Sequence, residues 1–161
     1  MEEYWAVRLL ALRTDPCAFG SNYEREVQFS NEQWKGRIGT DQIISIAARN
    51  HALRPSEGAT TVEHWVPLPS KPNTEDLDIY VLVGMWVRPE HRRKGVGNKL
   101  IEAGIEAARK DNNGKARRSL MLEVYDSNET GKLLYLNNGF TICEGPGGED
   151  GRVWMQKLIQ A

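Results

Sequence analysis

One stretch constrains the fold of this chain more than any other. An apolar run from Ile79 to Trp86 leads into Val87-Arg88-Pro89-Glu90-His91-Arg92-Arg93-Lys94-Gly95-Val96-Gly97-Asn98-Lys99, and Leu100, Ile101, Gly104, Ile105 and Ala108 follow at helical spacing. The order is a buried strand, a short basic Gly-rich loop and an amphipathic helix. A helix N-terminus leaves its first backbone N–H groups without intrahelical partners and carries a partial positive charge. Glycines at 95 and 97 remove side chains that would hold a phosphate away from those groups, and Arg92, Arg93 and Lys94 add formal positive charge. The stretch reads as a pyrophosphate cradle. The competing reading is a tight turn with solvated basic residues beside it. The spacing R-x-x-G-x-G matches neither G-x-x-x-x-G-K-[ST] nor G-x-G-x-x-G, so the P-loop and dinucleotide fingerprints both fail.

At 161 residues the chain fits one domain, residues 1–161, with room for a substantial core. A net charge of −1 gives no global attraction to nucleic acid or to an anionic membrane, and the basic clusters at 92–94 and 115–118 are local. Cys17 and Cys143 are too few for a disulfide scaffold and lack metal spacing, so buried free thiols in a reducing compartment are expected. His51, His64 and His91 fit no ligand spacing and are read as surface or loop residues, so no metal is expected. No apolar run approaches the ~18 residues that span a bilayer, and Met-Glu-Glu-Tyr-Trp lacks the basic start of a secretory signal. The expectation is a soluble, cytoplasmic protein that engages neither membrane nor nucleic acid.

Along the chain, Trp5, Leu9 and Leu12, with Ala6, Leu10 and Ala11, predict an amphipathic helix over 2–14 that stops at Asp15-Pro16. Ala18 to Ser21 reads as a turn. Ser30 to Gln33 has the S-x-x-Q form of a capping box and predicts a helix to about Arg37, ended by Gly39. Strands are predicted over 43–48, 59–66, 78–87, 119–125, 140–144 and 152–158. Pro67, Pro69 and Pro72 predict an irregular loop over 67–76. A helix over 97–111 is closed by Asn112-Asn113-Gly114, and one over 129–138 is capped by Ser127-Asn128 and stopped by Gly139-Phe140. A Gly-rich hairpin spans 145–151. The whole reads as one mixed α/β domain.

Arg92, Gly95 and Gly97, preceded by Met85-Trp86-Val87-Arg88-Pro89, resemble the acyl-CoA loop of the GNAT superfamily of N-acetyltransferases. A second anchor, Leu122-Glu123-Val124-Tyr125-Asp126-Ser127-Asn128 continuing to Leu134-Tyr135 and Asn138-Gly139-Phe140, is similar to the family pattern L-E-V-x-x-S-N-x-x-A-x-x-L-Y-x-x-x-G-F. Gly131 replaces the usual alanine, a change of one methyl expected to matter little. The resemblance covers residues 5–158. It implies a central mixed sheet flanked by helices, whose two parallel strands, 78–87 and 119–125, splay apart to admit the pantetheine arm of acetyl-CoA. By position, Met85 and Val87 would give that arm its backbone contacts, and the amides of Arg93, Lys94, Gly95, Val96, Gly97 and Asn98 would hold the pyrophosphate. Asn128 would touch the pantetheine as well as cap its helix. Family members usually begin with a strand ahead of the first helix, and this chain starts almost directly in that helix. Either that edge strand is absent or the sequence is trimmed; the cofactor site is expected to survive, edge exposure and dimerisation become harder to predict, and a homodimer is admitted.

The implied reaction is transfer of an acetyl group from acetyl-CoA to a primary amine by direct attack. A lysine-like amine, pKa near 10.4, is neutral in only about one molecule in two thousand at pH 7, whereas an α-amine near 7.7–8.0 is neutral to around a tenth. Tyr135 is the candidate acid, since a phenol is protonated at neutral pH and can donate to the leaving sulfur; the alternative is a core tyrosine packed with Leu134 and Phe140. Glu123 is the candidate base, in the position where the ribosomal-protein N-terminal acetyltransferase branch of the family has a glutamate. Burying an unpaired charge is expensive, so the alternative is a structural pairing with Arg117 or Arg118. The strand 79–87 offers no carboxylate. Trp86 should be core, while Trp65 and the proline loop could border the acceptor. Residues 15–38 and 64–76 should shape the acceptor side. The acceptor is a small-molecule amine, an amino acid or a protein amine; a non-catalytic acyl-CoA-binding module is the alternative function, against which Tyr135 and Glu123 both argue.

Overall fold

A computed structural model describes residues 2–38, 43–50, 53–65, 77–110, 117–145 and 151–160. Helix α1 (Glu2–Thr14) is followed by a 3₁₀ turn, Pro16–Ala18, and by helices α2 (Tyr23–Glu26) and α3 (Asn31–Ile38). Strands β1 (Ile43–Asn50), β2 (Leu53–Trp65) and β3 (Leu77–Val87) come next, then α4 (Val96–Lys110), β4 (Arg117–Tyr125), α5 (Glu129–Asn137), β5 (Thr141–Cys143) and β6 (Arg152–Gln160). The six strands form one sheet in the order β1-β2-β3-β4-β6-β5. Only the central pair, β3 and β4, is parallel; it is joined through α4.

The predicted splay is present in the register. β3 and β4 pair from Leu77 and Arg117 to Val81 and Met121 and then part, although β3 runs on to Val87 and β4 to Tyr125. A bulge in β3 accompanies the parting. Across β2, the three residues from Ala59 to Thr61 face the four from Val83 to Trp86, and Gly84 takes φ +64°. That left-handed conformation strains any residue but glycine. The extra residue reverses the alternation of the strand. Tyr80 and Leu82 join the core beneath α4 and α5 with Ile101, Leu122 and Phe140. Beyond the bulge Met85 packs against that same core, while Trp86 turns to the other face and packs with Val7 and Ala11 of α1. α1 thus covers the face of the sheet opposite α4.

Local signals hold where they were local. Ser30 N–H donates to Gln33 Oε1 at 2.8 Å and Gln33 N–H to Ser30 Oγ at 3.3 Å, closing the predicted capping box. After α5, Phe140 N–H donates to Tyr135 O and Gly139 N–H to Leu136 O, a Schellman stop with Gly139 at φ +80°. Several expectations need correction. The strand expected over 59–66 starts at Leu53, and α2 was not foreseen. Ala6, placed on the apolar stripe of α1, is exposed, and Val7 is buried in its stead. Cys17 is exposed and Cys143 half-buried, so neither is a buried thiol, and neither is in a disulfide. The proline loop and the loops at 112–114 and 146–150 lie outside the described residues. Among the described residues no helix is long and apolar enough to cross a membrane, and no His, Cys, Asp and Glu cluster could hold a metal ion.

Candidate functional site

The cradle is built where β3 ends. Arg88 to His91 turn the chain, Arg93 and Gly95 both adopt positive φ (58° and 80°), and α4 starts at Val96. The first bond back along the helix is Lys99 N–H to Gly95 O at 3.1 Å. The amides of Val96, Gly97 and Asn98 therefore have no intrahelical acceptor, and the first turn of α4 carries no acidic side chain that would neutralise its positive end. Arg93, Lys94 and Gly95 are exposed beside these amides. This arrangement fits a diphosphate.

Three cradle residues do something the pattern did not reveal. Arg92 folds its guanidinium back along the surface: Nε donates to Val87 O at 3.0 Å and Nη2 pairs with Asp15 Oδ2. Asp15 Oδ2 also accepts from Trp86 Nε1 at 2.6 Å. Arg92 thereby ties the loop to the strand it follows and to the end of α1. A Cβ on Gly97 would stand 3.0 Å from Leu134 Cδ2, so this glycine also permits close approach of α5 to the first turn of α4. Gly95 has open space where a Cβ would lie, and its requirement is the positive φ. Asn98 Oδ1 accepts from Asn138 Nδ2 at 3.0 Å, fastening the start of α4 to the end of α5.

Beyond the last β3–β4 pair the sheet opens into a cleft of about 750 Å³. Its floor is Val81 to Met85 on β3 and Glu123 to Tyr125 on β4, and its far wall comes from α1, α2, α3 and the segment 18–21. Val87 and residues 92–98 do not line it; they stand at the other end of the same open strand edge. Residues of the segment 15–38 line this cleft, while 66–76 lie outside the described residues.

Tyr135 reaches the cleft from α5 with its ring 5.8 Å from that of Phe140, in an edge-on contact. It is at once a core residue and a cleft residue, so the two sequence readings are not exclusive. Burial pushes its phenol up to about 12, which keeps it protonated. Glu123 faces the same cleft, half-buried, and Arg152 Nη1 on β6 donates to its Oε2 at 2.7 Å. The expected partners, Arg117 and Arg118, are not the ones used. Glu123 lies opposite Trp154 in the register and Arg152 opposite Tyr125, which makes Arg152 the diagonal neighbour on the same face. Arg118 is turned away, donating to Arg109 O.

Asn128 lines the cleft and caps α5, its Oδ1 accepting from Gly131 N–H at 2.9 Å. A Cβ at 131 would come within 2.8 Å of Asn128 Nδ2, so in this chain the glycine is coupled to the pose of the cap. The methyl judged unimportant from sequence would force Asn128 to move.

The profile of the acetyltransferase (GNAT) domain matches residues 62–142, half of the chain. No curated protein matches in sequence. Among solved structures, the chain is similar to the GNAT domain of S. lividans PAT, with a TM-score of 0.71 at 18% identity, covering 98% of this chain and 85% of that one. It is similar to yncA of Salmonella typhimurium, described as a putative acetyltransferase with its cofactor acetyl-CoA (TM-score 0.62, 17% identity, 99% and 88% covered). It is also similar to the ribosomal-protein-alanine N-acetyltransferase of Brucella melitensis (TM-score 0.61, 18% identity, 98% and 93% covered). These likenesses concern the fold, which they share across nearly all of the chain; with the profile match over the strand, cradle and α5 segment, they place it: the chain belongs to the GNAT acetyltransferase family.

Proposed function

We propose that this chain, acting as one domain over residues 1–161, transfers the acetyl group of acetyl-CoA to a primary amine by direct attack. Acetyl-CoA is the acyl donor. The amides of Val96 to Asn98 hold its diphosphate, the open edge of β3 at Met85 and Val87 takes the pantetheine, and Asn128 borders that arm. Arg93, Lys94 and Gly95 frame the diphosphate, and Arg92 holds the loop in place from behind. The observation that carries the reading is the parting of β3 and β4 after Val81 and Met121, with Glu123 and Tyr135 facing the gap.

The amine enters from the α1–α3 side and attacks the thioester carbonyl. Its C–N bond forms as the C–S bond breaks, and the amine gives up one proton. Glu123 is the group on β4 placed to accept that proton directly or through water, Arg152 holding its carboxylate in orientation. A phenol pushed up to about 12 is a weaker acid than a thiol near 8.5. Tyr135 therefore stabilises the leaving thiolate by donating a hydrogen bond and keeps its own proton.

The test is release of free thiol from acetyl-CoA against a panel of amines. Amine-dependent release that falls in Tyr135→Phe supports the reading. Tight acetyl-CoA binding with no amine-dependent release would instead make the chain an acyl-CoA-binding module.

A further inference from the structure

Resting on that reading, we infer that the acceptor is a small amine carrying an acidic group, carboxylate or phosphate, on the same molecule, and that Arg8, Arg25 and Arg37 recognise it. The charge of the cleft is one-sided. Among the described residues Arg8, Arg25, Arg37 and Arg152 line it against a single lining carboxylate, Glu123. Arg152 is matched to Glu123, which leaves three guanidiniums from α1, α2 and α3 on the far wall.

Behind that wall sits Glu26, a fully buried carboxylate. Arg8 grips it with Nε at 2.9 Å and Nη2 at 2.8 Å, and Arg37 Nη1 adds a third contact at 2.9 Å. One buried anion thus fixes two arginines and leaves the wall with a net positive charge. Fixing them also lowers the entropy lost when they bind an anion, because planar guanidinium forks match carboxylate and phosphate geometry. Arg8 stacks on Phe19 at 4.7 Å and Arg37 on Phe29 at 5.6 Å, a second restraint on each.

The position of these groups relates them to the reaction. Arg8 Nη1, the nitrogen not engaged by Glu26, lies 3.7 Å from where a Cβ of Gly84 would be. Gly84 lies in the bulge three residues beyond the last β3–β4 pair, so a guanidinium stands beside the parted stretch of β3. Arg37 keeps 40% of its side chain exposed although it pairs with Glu26, and Arg25 is exposed and has no carboxylate partner among the described residues. An amine with a nearby acid would place its acid on this wall and its nitrogen towards Glu123. A polyamine would meet repulsion here.

The test uses the full chain saturated with CoA, titrated calorimetrically with the standard amino acids and phosphoethanolamine, and in parallel with amino acid methyl esters, ethanolamine and spermidine. Thiol release from acetyl-CoA is followed with the same compounds. Amine-bearing acids are expected to bind and turn over best, the carboxylate and phosphate arms showing which acid is preferred. Arg25→Gln and Arg37→Gln should raise the Kd and KM of the preferred acid about tenfold or more, leave the KM of acetyl-CoA unchanged, and not affect ester binding. Arg25 is exposed, so its variant tests recognition without disturbing the fold. Equal or better binding of esters, ethanolamine or spermidine overturns the inference and leaves acetyl transfer standing, as does an unchanged Kd in both variants or no binding by any acid. Absence of CoA binding would instead overturn the donor assignment.

Discussion

Arg92 and Asp15, separated by 77 positions, form an ion pair that joins the cradle to the end of α1, and the same carboxylate oxygen takes the Trp86 indole N–H. The arginine of the R-x-x-G-x-G pattern therefore acts on the shape of the loop. Asp15→Ala and Arg92→Ala should each weaken acetyl-CoA binding about tenfold, as expected for a misplaced binding loop. The loss in the double variant should be clearly less than the sum of the two single losses, because both remove the same ion pair. Calorimetric titration decides; a larger loss in Arg92→Ala than in Asp15→Ala, with additive losses in the double, would mean that the guanidinium touches the diphosphate itself.

Tyr135→Phe keeps the ring against Phe140 and removes only the hydroxyl. Turnover should fall by about 10²-fold, the lower end of the range for a lost hydrogen-bond donor to developing charge, with little change in melting temperature. The pH profile separates the roles of the two groups. With the phenol at about 12, Tyr135 stays protonated through the working range, so kcat/KM should show no falling limb from it up to about pH 10. A falling limb near pH 9–10 that disappears in Tyr135→Phe would contradict this.

Glu26 stabilises the fold in a pH-dependent way. Burial opposes its charge, but the hydrogen bonds from Arg8 and Arg37 outweigh that and hold the carboxyl down from 4.5 to about 2. The folded state thus releases the proton more readily than the unfolded one. Its contribution is complete above pH 4.5 and is lost as the pH falls towards 2. Glu26→Gln should cost on the order of 3 kcal/mol at pH 7 by leaving two arginines without their shared anion. Urea unfolding of both proteins should show that gap narrowing below pH 4.5; a gap independent of pH would show that the cost is steric.

A methyl at Gly95 meets no atom, so Gly95→Ala tests the backbone alone. Holding alanine at φ +80° should cost about 1–2 kcal/mol. Gly97→Ala instead presses on Leu134 and should loosen α5 from α4, seen as faster hydrogen exchange at the start of α4.

The parts of the fold legible in the sequence were those written in neighbouring residues: the strand–loop–helix around Gly95, the Ser30–Gln33 capping box, the Gly139 stop, the Asn128 cap. Each is specified by side chains a few positions apart acting on their own backbone. The parts that escaped depend on residues brought together by the sheet. Arg8 meets Glu26 across 18 positions and Glu123 meets Arg152 across 29, and neither pairing has a local pattern. α2 is a single turn, set by the Asn22 side chain accepting from Arg25 N–H, and is too short to show periodicity. Gly84 did carry a signal, since a lone glycine inside an apolar strand marks a bulge. Reading it would have shown why Met85 and Trp86 face as they do.

The central claim is that the turn before α4 holds the donor's diphosphate and that the splay receives its thioester. A crystal structure of the complex with acetyl-CoA tests it most directly. Diphosphate oxygens in hydrogen-bond contact with the amides of Val96, Gly97 and Asn98, and the thioester between β3 and β4 beyond Val81 and Met121, is the predicted result. The coenzyme bound elsewhere, with that turn unchanged and in contact with solvent alone, would contradict it.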